Sequence, residues 1–202
     1  MKISLVNLNL NNIFSIYSLC KKFTYKVQII SNSDELDKNT DIIIIPGVGS
    51  FKQGMNVLKK NGFAEKIKEH SIIKKKKLIG ICLGMQLLFK NSKEFGYTKG
   101  LGLIDGNVDR LPKGKENFPN INWSKINIVN KKSLNKFDQK YFYFIHSYYC
   151  LPKEKKIISS YINYNSKNIC SSIYSKNIIG MQFHPEKSGE NGINFFKKII
   201  NE

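Results

Sequence analysis

A cysteine at position 82 stands between two glycines in the frame Gly80-Ile81-Cys82-Leu83-Gly84, where an apolar run gives way to the helix-like pattern of residues 83–89. Glycine, any residue, nucleophile, any residue, glycine is the spacing of a sharp strand-to-helix turn: the glycines admit close packing, and the nucleophile is presented at a helix N-terminus. The positive end of that helix favours a thiolate. An ordinary thiol is only roughly 3 % ionised at pH 7, so a reactive cysteine needs this help and that of a nearby imidazolium. Taken alone, the frame fits an inert thiol buried at a strand–helix junction equally well.

Two further stretches favour chemistry. In "QFHPE", His184 and Glu186 follow the short apolar run 178–183 and so fall at a strand end. A thiol, an imidazole and an acid that orients it form the logic of an activated nucleophile. In "PGVGSF", Gly47, Val48 and Gly49 end another apolar run, and their backbone N–H groups could face an oxyanion forming near Cys82. By itself that stretch reads as an ordinary strand-end turn. Of the other histidines, His70 lies in a polar helical stretch and reads as solvated, and His146 in "FIHSYY" reads as a pocket-wall or core residue rather than a base.

The elements that must position these groups alternate. Runs at 2–6, 26–30, 41–51 and 77–81 read as strands, the third ending in the Pro/Gly loop; 13–23, 52–70 and 83–89 read as helical. Strand–helix alternation implies an α/β fold with a mostly parallel central sheet flanked by helices on both faces. Ligands of such sheets bind beyond the carboxyl ends of the strands, where Cys82 and the 46–51 loop both fall. From about residue 100 the segments become short, β-branched and aromatic, which predicts added mixed or antiparallel strands, before a closing helix at 193–202. With no composition break over 202 residues, we read 1–202 as one domain.

The formal charge is +18. Lysines scattered among asparagines and isoleucines fit a compositional bias at the surface, and the dense run Lys74–Lys77 fits a solvated helix-to-strand connection better than a nucleic-acid patch. Neither nucleic acid nor membrane is expected as a partner: no nucleic-acid-binding signature is present and no apolar run is long enough to span a bilayer. The four cysteines form no CxxC pair, so no metal site or redox dithiol is expected, and the first residues lack the pattern of a signal peptide. A reduced, cytoplasmic protein without cofactors is the expectation.

Together "PGVGSF", "GICLGMQLLF", "YFYFIHSY" and "GMQFHPEKSG" resemble the class I (triad) glutamine amidotransferases, and among these the glutaminase subunits of imidazole glycerol phosphate synthase. The resemblance implies a flavodoxin-like fold with a nucleophile elbow and hydrolysis of the glutamine side-chain amide. Cys82 would be the nucleophile, His184 the base and acid, and Glu186 its orienter. Backbone N–H groups of the Gly47–Gly49 strand and of Leu83 would hold the oxyanion, and Gln86, Glu94, Ser147 and Tyr148 would bind the amino-acid end of glutamine. The ammonia would pass to a (β/α)8-barrel partner that makes imidazole glycerol phosphate and an aminoimidazole carboxamide ribotide.

Two stretches depart from the family's pattern. A glycine-rich element near the start is replaced by Asn9-Leu10-Asn11-Asn12, and a PHxGW pattern by Pro119-Asn120-Ile121-Asn122-Trp123. Asparagine tolerates positive φ best among non-glycine residues, so the backbone is expected to survive. In relatives the second stretch lies toward the partner, so Asn120, Asn122 and Trp123 are expected at that interface in altered form. This change motivates an alternative: the same chemistry feeding a sugar amidotransferase of surface polysaccharide synthesis. A non-catalytic regulatory module is the remaining alternative, disfavoured because nucleophile, base and orienter are all retained.

Overall fold

The computed structural model describes residues 1–10, 13–24 and 26–202. Strands β1 (Ile3–Val6), β2 (Val27–Ile30), β3 (Ile42–Ile45) and β4 (Lys77–Ile81) alternate with helices α1 (Phe14–Lys21), α2 (Phe51–Lys60) and α3 (Phe63–Lys68), and β4 feeds α4 (Leu83–Leu87). Strands β5 (Phe89–Ser92), β6 (Thr98–Lys99), β7 (Ile104–Arg110), β8 (Asn120–Lys125), β9 (Asn127–Ile128), β10 (Tyr141–His146), β11 (Tyr148–Pro152), β12 (Ile158–Tyr164), β13 (Lys167–Ser175) and β14 (Ile178–Met181) follow, then helix α5 (Gly189–Asn201). The main sheet runs β2-β1-β3-β4-β14-β13-β12-β9. It is parallel from β2 to β14 and antiparallel beyond, while β11-β7-β5-β6 and β10-β8 form two smaller sheets.

Alternation along the buried strands explains why helices cover both faces. Ile42 and Ile44 of β3 join Ile3, Leu5, Ile79 and Ile81 in one core. Ile43 and Ile45 turn the other way, to Val6 and Leu78. The register sets Ile44 beside Ile79 and Ile79 beside Ile179, so β3, β4 and β14 end at one edge.

Several expectations change. The helix expected over 52–70 breaks at Asn61-Gly62, where Gly62 takes φ 72°, and after α3 the chain widens into a turn closed by Lys74 N–H to Glu69 O at 3.0 Å. The helix expected to reach Phe89 stops at Leu87, because the N–H groups of Leu101 and Leu103 take the carbonyls of Leu87 and Leu88 and β5 begins at once. His70 is buried rather than solvated: its Nε2 lies 3.1 Å from Lys77 O. The lysine run is only partly solvated, since Lys77 Nζ donates to the carbonyls of Ile199 and Ile200 at the end of α5, 2.9 and 3.1 Å away. Asn9 has φ 54°, as an asparagine in a glycine-like position can; Asn11 and Asn12 lie outside the described residues.

Candidate active site

Cys82 joins β4 to α4 with φ 53° and ψ −110°, a conformation that costs a non-glycine residue free energy and persists only where its surroundings hold it. They do so by close contact. A Cβ at Gly80 would fall 2.6 Å from Gly84 O, and one at Gly84 would fall 1.6 Å from Ile45 O. The Cys82 N–H donates to Met181 O at 2.7 Å, tying the elbow to β14.

His184 follows β14. Its N–H donates to Tyr143 O at 3.0 Å and its carbonyl accepts from Ser188 Oγ at 2.6 Å, so β10 and the start of α5 fix its backbone. Nδ1 lies 2.7 Å from Glu186 Oε1. A carboxylate can only accept, so Nδ1 carries a proton and Nε2, buried and without a hydrogen-bond partner among the described residues, is left for the sulfur. Burial pulls the His184 pKa down, but the Cys82 sulfur and the Glu186 carboxylate outweigh it and push the pKa up to about 10. Both partners favour the charged imidazolium, the form that can protonate a leaving amine.

His146 is the opposite case. Its Nδ1 lies 2.9 Å from Tyr148 O, again a pure acceptor, so Nδ1 carries the proton and Nε2 accepts from Asn120 Nδ2 at 3.0 Å. Burial, aided by the charge on His184, depresses its pKa to about 4 against the raising effect of the Tyr148 bond. It is a neutral wall with both nitrogens occupied, not a base. Asn120 thus turns inward, 4 % exposed, instead of toward a partner, whereas Asn122 and Trp123 are exposed.

Cys82, Leu83, Gln86, Glu94, Ser147 and Tyr148 line one cleft of about 270 Å³, together with Val48 and Gly49. Glu94 is buried, which raises its pKa, and its Oε2 accepts from Phe51 N–H at 2.7 Å at the start of α2. Gly47 does not line the cleft: its carbonyl accepts from Leu83 N–H at 3.2 Å, so the Leu83 donor expected for the oxyanion is engaged in this conformation. The sequence reading missed Gln182, whose Nε2 lies 3.5 Å from Cys82 Sγ, and Ser188. For Ser188 the only signal was a small polar residue beside a glycine. Among the described residues no cluster of three His, Cys, Asp or Glu side chains could hold a metal, and no helix is long and apolar enough to cross a membrane.

The family model described as glutamine amidotransferase class-I matches residues 5–201. The chain belongs to that family. Curated relatives of this glutamine amidotransferase include the imidazole glycerol phosphate synthase subunit HisH of Caldanaerobacter subterraneus subsp. tengcongensis, 40 % identical over 98 % of this chain and 96 % of the relative. The protein of the same name from Chlorobaculum tepidum is 39 % identical over 85 % of this chain and 86 % of its own length. Among solved structures, a glutamine amidotransferase matches with a TM-score of 0.77 at 13 % identity over 100 % of both chains. A chain of PurLQS from Thermotoga maritima matches with 0.75 at 18 % identity, covering 99 % of this chain and 97 % of that one. At these identities the two structures speak for the fold, which is the α/β fold expected.

The two active-site histidines should titrate at opposite ends of the pH scale. Because its folded pKa is raised, His184 contributes stability that is complete below the unfolded value near 6.5 and is lost as pH rises toward about 10. Because its folded pKa is depressed, His146 contributes stability present above about 6.5 and lost as pH falls toward about 4. NMR titration of the imidazoles checks this, and Cys82→Ala should lower the His184 midpoint. An unchanged midpoint would refute the coupling between sulfur and imidazole.

Proposed function

We propose that this chain is a cytoplasmic glutaminase subunit, acting as one domain over residues 1–202, which hydrolyses glutamine to glutamate and ammonia and passes the ammonia to a (β/α)8-barrel subunit of imidazole glycerol phosphate synthase. The observation that carries the reading is the nearly end-to-end match to curated subunits of that synthase.

The residues divide the work as follows. Cys82 Sγ attacks the carboxamide carbon of glutamine while its proton resides on His184 Nε2. The tetrahedral intermediate collapses when that proton passes to the departing nitrogen, leaving ammonia and a glutamyl thioester. Neutral His184 then takes a proton from water, whose oxygen attacks the thioester to release glutamate and restore the thiol. Glu186 holds the imidazole by Nδ1 and stabilises its charged form. The burial-raised carboxyl of Glu94 suits the ammonium of the substrate, whose arrival would compensate the cost of ionising it. The oxyanion is served by backbone N–H groups of Val48, Gly49 and Leu83, and Leu83 must first leave Gly47 O. Asn122 and Trp123, exposed beside the cleft-lining Ile121, belong to the partner-facing surface.

Glutamate release should be slow in the isolated chain and rise strongly when the same organism's barrel subunit and its ribotide ligand are added. Turnover without stimulation would assign the ammonia to a different synthase. Glu186→Gln should cost one to two orders of magnitude less in kcat than loss of the nucleophile, roughly the spread between orienter and reacting groups in a triad. Equal losses, measured by the same assay, would contradict an orienting role.

A further inference from the structure

We propose that Gln182 is the neutral hydrogen-bond donor that stabilises negative charge on the Cys82 sulfur when it reacts, with its direction enforced by Gln86. The inference deepens the reading above and rests on Cys82 being the nucleophile.

Three side-chain contacts form a chain with one permitted polarity. Gln86 Nε2 lies 3.0 Å from Tyr148 O and 3.1 Å from Gln182 Oε1. A backbone carbonyl only accepts, so the Gln86 amide must present its NH2 there, and the same NH2 supplies the proton to Gln182. Gln182 must then accept through Oε1, and its own NH2 is left facing Cys82 Sγ at 3.5 Å. The amide has little freedom to do otherwise, since Gln182 is fully buried and its N–H is fixed to Ser171 O at 2.8 Å.

The sulfur needs this donor because its other neighbours do not serve. The Cys82 and Leu83 N–H groups are taken by Met181 O and Gly47 O. Ile145 O, 3.7 Å from Sγ, can accept from a thiol but repels a thiolate. Helix α4 has five residues and offers little dipole. Among the described residues the ionisable groups around the sulfur are His184 and Glu186 after β14, His146 of β10, Tyr148 and Cys150 of β11, and Glu94 between β5 and β6. Of these only His184 is cationic, so Gln182 supplies the second, uncharged share of thiolate stabilisation. It positions and stabilises the reacting atom without exchanging a proton.

The test is the pH dependence of Cys82 alkylation by iodoacetamide, read by the mass of the peptide carrying Cys82. Cys20, Cys150 and Cys170 are buried with raised thiol pKa values and do not compete. In Gln182→Met the labelling midpoint should rise by about one pH unit, the size expected for losing one hydrogen bond to a charged group. In Gln182→Glu it should rise further, because an anionic oxygen then faces the sulfur. In the glutaminase assay kcat should fall about tenfold in Gln182→Met with KM little changed. Unchanged midpoints in both folded variants would overturn the proposal and leave Gln182 a packing residue. A measurement on the unaltered chain guards against variants that do not fold. The Gln182 side-chain amide protons should shift in NMR with the Cys82 midpoint and cease to do so in Cys82→Ser; absence of that titration would equally overturn it. Labelling needs no glutamine turnover, so a chain whose midpoint responds while glutamine stays intact even with the barrel subunit and its ribotide ligand present would sink the glutaminase reading and leave this one standing.

Discussion

Cys82→Ala should reduce glutamate release by about four orders of magnitude or more, the scale seen when a covalent nucleophile is removed from a triad. The side chain is small and 4 % exposed, and alanine meets the same positive-φ strain as cysteine, so the fold should persist. What disappears is the atom that carries the acyl group. His184→Ala should come close to the same loss, because the thiol then has no proton acceptor and the leaving nitrogen no donor. Double replacement should add little to either single one, as expected for groups that act as a unit. Glutamate release by Cys82→Ala at even a hundredth of the original rate would mean that another group attacks glutamine. Circular dichroism on the same sample separates that outcome from unfolding.

The second large effect is structural. Gly84→Ala should lower stability by about 3 kcal/mol or more, because the new Cβ would stand 1.6 Å from Ile45 O and 2.6 Å from its carbonyl carbon, backbone atoms of a central strand that cannot yield locally. Gly54→Ala makes the informative comparison. Its Cβ would approach Leu87 Cδ1 at 2.9 Å, the end of a flexible side chain, so its cost should be a fraction of that at Gly84. For a chain of this size the Gly84 variant should melt roughly 6 to 12 °C lower. Equal melting temperatures for the two variants would show that α4 can lift from β3 more easily than the packing suggests. The elbow would also move, so activity should fall with the melting temperature.

Much of this site was legible in the sequence because its parts are local. The Gly80–Gly84 frame encodes its own turn, and "HPE" sets the imidazole and carboxylate two residues apart, the spacing that puts Nδ1 2.7 Å from Glu186. The strand runs were equally plain, since "IIII" is buried on both faces. The rest depended on partners distant in the chain. His70 looks polar in its own helix, yet it is buried with its ring against Lys77 O of the next strand. Asn120 looks like a surface change until pairing of β8 with β10 brings it to His146. Gln182 sits in a run whose pattern says only "buried strand", and its role emerges from Gln86, 96 positions away. The end of α4 was hidden because its carbonyls are taken by residues from a loop more than a dozen positions downstream.

The alignment of β3, β4 and β14 also bears on how this chain can vary. Ile45 pairs with Gly80 and Gly80 with Gly180, so the 47–49 loop, Cys82 and His184 are each reached by counting a few residues past a common line. Deleting one residue within any of these strands would draw its loop back by about 3.3 Å or send the later side chains of that strand to the opposite core. Insertions and deletions there are therefore a closed route, whereas substitution at exposed positions changes neither count nor face. Substitution at the surface leaves that count untouched, so the chain carries a charge of +18 without altering the register that sets the distances inside its cleft.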